Sequence, residues 1–411
     1  MVMTYNAPGI YVEEVPGGAR PIQAVGTSTA GFVGVAPKAD AQLNQAFACN
    51  NWTQFRREFI VDATESTPLS HAVWGFFLNG GKRCFIVNVG TGGQVDGGGR
   101  GRTGLQLLAA IDEIAIVAAP GYTDAASYDA VLSHCENLKD RVAILDPPAD
   151  VPDILALTRS ATAASRRSRG AEEASGESTD VVGGAGVRPR QSDGGYGTFY
   201  FPWITVRDPM NNELVDVAPS GHLAGIWART DATRGVHKAP ANEVVRGALN
   251  LTYRITREEQ AELNMVGVNC IRLFTREGIR VWGARTLADG SSEWRYLSVR
   301  RLFNMIEESI GDSTNWIVFE PNDPTLWKNI RRDIGAFLTR LWRDGALMGR
   351  TAEEAFFVKC DEETNPTEVI DAGQVVTLIG VAPVKPAEFI IFRITQTSAG
   401  TEVEQTGAAN G

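Results

Sequence analysis

The sequence predicts a mixed α/β chain, α+β in part, with an outer and an inner α/β domain and extended terminal arms, and three observations carry that expectation. The 411 residues exceed the roughly 150 of a single domain, so the chain has ample material for more than one core. Strand-like and helix-like segments alternate between Gly31 and Asp146, as in α/β domains. Beyond Leu297 the order becomes helix, helix, strand, strand, strand, which marks a second unit. Hydrophobic residues at 43% and charged residues at 21% are ordinary for a globular protein, whereas 43 glycines and 19 prolines predict many short elements and some long connections.

Taken in order, the first 25 residues form an extended arm. Pro8, Pro16 and Pro21 forbid a helix around the β-favouring piece Gly9 to Val15. That piece has no partner strand nearby in sequence, and a lone strand is unstable, so it must pair with something distant, in its own chain or another. Gly31 to Val35 is strand-like, Trp52 to Phe59 amphipathic, His71 to Leu78 helical, and Cys84 to Val89 a buried strand. After the glycine cluster from Gly90 to Gly104 come a helix at Leu105 to Ala110, a strand at Ile114 to Ala118, a helix at Tyr128 to Leu138 and a strand at Val142 to Asp146.

Ser160 to Asp193 is poor in large apolar residues and reads as a disordered or surface loop. Its basic start, Arg166, Arg167 and Arg169, is neutralised by Glu172, Glu173 and Glu177, so it is a solvated insertion and not a nucleic-acid patch. Structure resumes with a strand-like run at Tyr196 to Val206. Thr256 to Glu259 is a capping box, and Val268 to Phe274 with Ile279 to Ala284 form a hairpin. Val299, Leu302, Phe303, Ile306 and Ile310 share helical spacing behind Ser298, read as a cap. Asp323-Pro324 starts a second helix; Leu326, Ile330, Ile334, Phe337, Leu341 and Trp342 form its apolar face, and Gly345 stops it. Strands are expected at Ala355 to Cys360, Val375 to Val381 and Phe389 to Thr395.

The net charge of −10 excludes a protein whose main work is to coat DNA or an anionic membrane. The five cysteines are odd in number and scattered, without a CxxC pair or compact disulfide framework, which fits a reducing, cytoplasmic site of synthesis and assembly. Two acids stand where a secretory signal would be basic, and no apolar run reaches the roughly 20 residues of a membrane helix. No signal peptide and no membrane insertion are expected.

Catalytic patterns fail on spacing. Gly99 to Gly104 spells GxGxxG, but a dinucleotide fingerprint must follow its strand immediately, and Val89 lies too far upstream. Gly80-Gly81-Lys82-Arg83 lacks the Ser or Thr of a phosphate loop, and Gly26 to Ala30 is one residue away from a nucleophile elbow. His71, His134, His222 and His237 show no metal spacing, and the Asp361-Glu362-Glu363 turn lacks the ligands of a calcium loop. No cofactor and no enzymatic activity are expected. The competing readings are a nucleotide-binding enzyme built on the Gly90 to Gly104 loop and a monomeric binding module. One charge pattern stands out: Lys328, Arg331, Arg332, Arg340 and Arg343 lie opposite the apolar face of the second C-terminal helix. They form either a solvated face or a basic strip for an acidic protein partner.

Several runs resemble contractile phage tail sheath proteins: Pro8 to Pro16 with Arg20-Pro21-Ile22 and Val25 to Ala30, Arg300 to Ile310, Glu320 through Trp327, Leu341 to Leu347, Glu353 to Asp361, and Pro386 to Phe392. The resemblance implies a sheath subunit that stacks as hexameric rings around an inner tube protein, in contact with baseplate and terminal cap proteins, in a phage tail or phage-tail-like contractile injection system. It also implies strand exchange between subunits, through Ile10, Tyr11, Val12, Glu13, Glu14 and Val15 and, at the other end, Phe389, Ile390, Ile391, Phe392, Arg393 and Ile394. On this resemblance Pro16, Gly17 and Gly18 form the arm's hinge and the basic strip faces the tube. Contraction is then a rigid-body rotation of subunits about their arms, from a kinetically trapped extended state to a shorter, wider one. The expected layout is an arm at 1–25, an outer domain at 26–285, an inner domain at 286–386 and a terminal arm at 387–411.

Overall fold

The computed structural model describes residues 21–98, 101–161 and 186–391. In chain order the first half holds β1 (Ala30–Gly34), β2 (Ala46–Cys49), α1 (Trp52–Phe55), α2 (Pro68–Asn79), β3 (Cys84–Asn88), α3 (Leu105–Leu108), β4 (Ile116–Ala118), α4 (Ala125–Leu138) and β5 (Val142–Leu145). A π-helical turn at Arg56–Ile60 follows α1. Then come β6 (Gly197–Phe201), β7 (Ile204–Arg207), β8 (Leu214–Val217), α5 (Ser220–Arg234), β9 (Glu243–Val244), β10 (Asn250–Leu251), α6 (Arg257–Met265), β11 (Val268–Phe274) and β12 (Gly278–Trp282).

Nine of these strands make one sheet in the order β2-β3-β1-β4-β5-β6-β11-β12-β9. The six from β3 to β11 run parallel, and antiparallel strands close both sides, β2 at one and the β12–β9 pair at the other. Parallel strands covered on both faces must be apolar throughout, which is why Cys84–Asn88 and Val142–Leu145 read as continuous runs. The side-chain alternation of a strand sends Phe32 and Ile86 to one face, against α2 and α5. It sends Val33 and Val87 to the other, against α4.

Local signals explain most helix starts. Thr67 and Ser70 form a capping box before Pro68, Asp124 caps α4, and Thr256 with Glu259 caps α6. The helix α5 has no side-chain cap, and no stripe of apolar residues announces it. Ten of its residues, Ser220 to Ala228 and Thr230, are buried, because its glycines let it press against α2. A Cβ on Gly221 would stand 2.2 Å from the Ala72 Cα, and one on Gly75 of α2 would stand 2.3 Å from His222.

The expected run Tyr196 to Val206 is two strands and not one. Pro202, in a cis peptide with Phe201, has no N–H to continue the ladder. The chain therefore leaves the large sheet, and β7 pairs with β8 and β10 in a three-stranded sheet. The surface loop expected up to Asp193 also ends sooner. Arg190 bonds Asp129 and Glu136 of α4, and Ser192 is fully buried with its hydroxyl on Glu136. The basic start of that segment lies outside the described residues.

The C-terminal part contains α7 (Leu297–Thr314), α8 (Pro324–Arg343), α9 (Ala352–Ala355), β13 (Phe356–Lys359), α10 (Thr367–Asp371) and β14 (Leu378–Val381). Its core gathers Leu302, Met305 and Ile306 of α7 with Leu326, Ile330, Ile334 and Phe337 of α8. Ser298 is no cap: α7 starts at Leu297, and Ser298 is a buried position inside its first turn. Ile22 joins this core, 1% exposed. The Gln23 and Val25 amides bond the hydroxyls of Ser313 and Ser309. The arm expected to run to residue 25 is therefore docked on α7 and α8 from Ile22 onward, because an apolar side chain and two backbone donors find partners there.

Candidate assembly surfaces

The helix α8 is set by its ends. The Asp323 carboxylate accepts the Leu326 amide at 2.8 Å, Pro324 occupies the first helical position, and Gly345 leaves with φ of 80°. The expected apolar face is buried from Leu326 to Leu341, with Trp342 half-buried at its end, which turns the basic residues outward. They divide into two kinds. Lys328, Arg332 and Arg343 are exposed, as is Arg340, and the first three are spaced so that they follow one line along the helix. Arg331 and Arg340 flank that line and hold the fold: Arg331 donates to the Cys360 carbonyl at 2.8 Å and Arg340 to the Ile22 carbonyl at 2.7 Å. Arg332 is paired with the neighbouring Asp333 at 2.9 Å.

The antiparallel pair β13–β14, in register from Phe356 opposite Val381 to Lys359 opposite Leu378, forms a two-stranded sheet with no further strand among the described residues. Phe357 and Leu378, at 59% and 51% exposure, stand open on one face of it. The chain then crosses back toward the large sheet, bonding Ala346 and Met348 on the way. There Arg285 grips Glu388 with two bonds, at 2.9 Å and 2.5 Å. After that clamp Phe389, Ile390 and Ile391 are 73–79% exposed and pair with no strand among the described residues. Phe392, Arg393 and Ile394 lie outside the described residues, as do Ile10 to Val15 and Pro16 to Gly18.

The joint between the large sheet and α7 is charged and buried. Arg301 of α7 pairs with Asp231 of α5 through both guanidinium nitrogens, at 2.9 Å and 2.5 Å, and also donates to the Thr27 carbonyl. Both side chains are under 5% exposed. Its neighbour Arg300 lies over the rings of Trp294 and Tyr196, at 4.1 Å and 4.8 Å. Close by, burial and the charges of Asp140 and Asp312 push the Glu308 carboxyl up to about 7. In the sequence Arg300 and Arg301 stand out only as the start of the run Arg300 to Ile310. Their partners are far along the chain, and no local pattern reveals such a pairing.

Ser66 and His71 both bond Asp208, at 2.7 Å and 3.2 Å. The carboxylate thus stands between hydroxyl and imidazole, and the ring does not touch the hydroxyl it would have to activate. In the Gly90 to Gly104 segment, Leu105 donates to Val95, Thr103 to Gly97 and Tyr122 to Gly93; Val95 is buried, so the segment folds on itself. An open cleft of about 570 Å³ beside the β11–β12 turn is lined by Arg254, Arg272, Arg276 and Phe274, with Arg272 committed to Gln260. Among the described residues no three His, Cys, Asp or Glu gather as for a metal ion, and no helix is long and apolar enough to cross a membrane.

The two halves of this architecture correspond to known families of domain. Residues 101–287 match the phage tail sheath protein central domain and residues 289–397 the phage tail sheath C-terminal domain. The fold is similar to that in the structure of the anti-feeding prophage baseplate, with 30% identity over 96% of this chain and 100% of that one and a TM-score of 0.70. It is likewise similar to the sheath complex of the extracellular contractile injection system PVC in its contracted state, with 28% identity over 96% and 99% of the two chains and a TM-score of 0.74. The chain belongs to the contractile tail sheath family. Among curated relatives, the tail sheath protein of Salmonella phage ViI is 28% identical over 63% of this chain and 40% of its own length. That of Vibrio phage KVP40 is 29% identical over 47% and 29%. The matches thus span less than half the length of these two relatives.

Proposed function

We propose that the chain is a structural sheath subunit that polymerises as stacked hexameric rings around an inner tube and drives that tube through a target envelope by contracting. The observation that carries this reading is the β13–β14 sheet, whose outer edges have no further strand among the described residues and whose face is apolar and exposed. An open edge with apolar pockets receives an added strand, and an apolar strand without a partner needs such an edge. Phe389 to Ile391 have that character at one end of the chain, and Ile10 to Val15 at the other. On this reading Ile10 to Val15 and Phe389 to Ile394 are donated to neighbouring subunits, with Pro16, Gly17 and Gly18 as the hinge.

The outward line of Lys328, Arg332 and Arg343 would meet an acidic inner tube in the extended state and leave it on contraction. Residues 26–285 would form the outer domain, residues 286–386 the inner one beside the tube, and baseplate and cap proteins would close the two ends of the polymer. Subunits would be made and assembled in the cytoplasm. The work would come from rigid-body rotation into a state with more buried contact, with no catalytic step or cofactor. Electron microscopy of the full-length protein produced with its tube tests this: hollow, striated cylinders are expected, and dispersed single particles under all assembly conditions would overturn the proposal.

A further inference from the structure

We infer that Cys49 and Cys84 form a reversible dithiol–disulfide couple that staples the edge strand β2 to β3. Separated in sequence, they are brought directly opposite each other by the antiparallel register of β2 and β3. Such partners have Cα atoms about 4.5–5.5 Å apart, inside the roughly 4.4–6.8 Å that a disulfide spans. Both side chains are fully buried in the same apolar cluster, so they point to the same face of the sheet, where the Cys49 thiol donates to the Asn51 carbonyl at 3.3 Å. The neighbouring Cys84 thiol holds the Cys49 thiol below its ordinary range, while burial pushes Cys84 up, so Cys49 is the attacking sulfur. Cys135 and Cys270 lie on the opposite face of the sheet and Cys360 in the C-terminal core.

The co-reactant is a low-molecular-weight disulfide. The Cys49 thiolate attacks one of its sulfurs, releasing one thiolate and leaving a mixed disulfide on Cys49. Cys84, giving up its proton, then attacks the Cys49 sulfur and expels the second thiol. Two protein thiols are oxidised, one reagent disulfide is reduced to two thiols, and both protons end on the expelled thiolates. Access requires β2 to open locally, which its position eases: it is an edge strand with β3 as its only partner strand among the described residues, and the three residues before the buried Cys49 are partly exposed.

The test equilibrates the full-length protein with oxidised glutathione, quenches in acid, denatures, labels free thiols with N-ethylmaleimide and measures mass. The expected result is three labels in place of the five cysteines, a protein two hydrogens lighter, and a proteolytic peptide pair joined through Cys49 and Cys84. Dithiothreitol should restore all five labels, and Cys49→Ser should label at every remaining cysteine. Five labels on the oxidised wild-type protein overturn the inference, as does a lasting glutathione adduct or a link through Cys135, Cys270 or Cys360. The wild-type measurement does not depend on how the variant folds.

Discussion

At the scale of single residues, buried charge decides more than exposed charge. Arg301 and Asp231 satisfy each other with two bonds, and Thr27 completes both, through its carbonyl and its hydroxyl. Removing one member strands a charge in the interior, so Arg301→Leu should lower unfolding stability by about 3–5 kcal/mol in denaturant titration. Asp146 carries the opposite lesson. Its two oxygens take the amide and hydroxyl of Ser220, yet complete burial pushes the carboxyl up to about 7. A raised carboxyl is protonated more readily in the fold than in the unfolded chain, so its contribution is full in acid and is lost as the pH rises through about 7. Asp146→Asn should therefore gain in Tm on the wild type between about pH 5 and pH 8, and a constant difference across that range would refute the titration. Caps such as Asp323 and Thr256 were legible in the sequence because their partners lie within three residues. Arg301, Asp231 and Thr27 were not, because only the fold brings them together.

Among the elements, α8 and α5 mark the two limits of legibility. The helix α8 has a wet face and a dry one, so its spacing announces both its existence and its orientation. The sequence grouped five basic residues on it, whereas the contacts separate Lys328, Arg332 and Arg343 from the two that grip backbone carbonyls. Reversing the first three to Glu should leave the fold intact by circular dichroism and cut tube-bound sheath by more than about tenfold. Arg340→Glu should instead destabilise the monomer by releasing Ile22. The helix α5 is buried nearly all round, and a pattern reading that looks for a stripe passes it over. Its signal is the spacing of Gly221 and Gly225 against Gly75 and Ala72. Since a methyl group on Gly221 would collide with α2 backbone and not with a movable side chain, Gly221→Ala should cost about 1–3 kcal/mol in thermal or denaturant unfolding.

For the whole molecule, the alternation of strands and helices foretold the class of fold, but the order of the nine strands and the open β13–β14 pair required long-range pairing that no window of sequence contains. Phe389 to Ile391 were legible as apolar and extended; on the proposed strand exchange, where they go depends on another chain. Deleting Met1 to Val15 should give a monomer that melts like the full chain but builds no long cylinders in electron micrographs, and normal polymers from that truncation would count against strand exchange. The two grips near the ends of the described chain have a mechanical consequence. Arg340, Ser309 and Ser313 hold the entering segment at Ile22 to Val25, and Arg285 holds the leaving one at Glu388. A pull on either end loads these bonds together, in shear along the extended backbone, and not one after another as when a strand is unzipped from an edge. Tension in a chain of linked subunits would thus pass through the joint between sheet and helices and leave the edges of the large sheet unloaded.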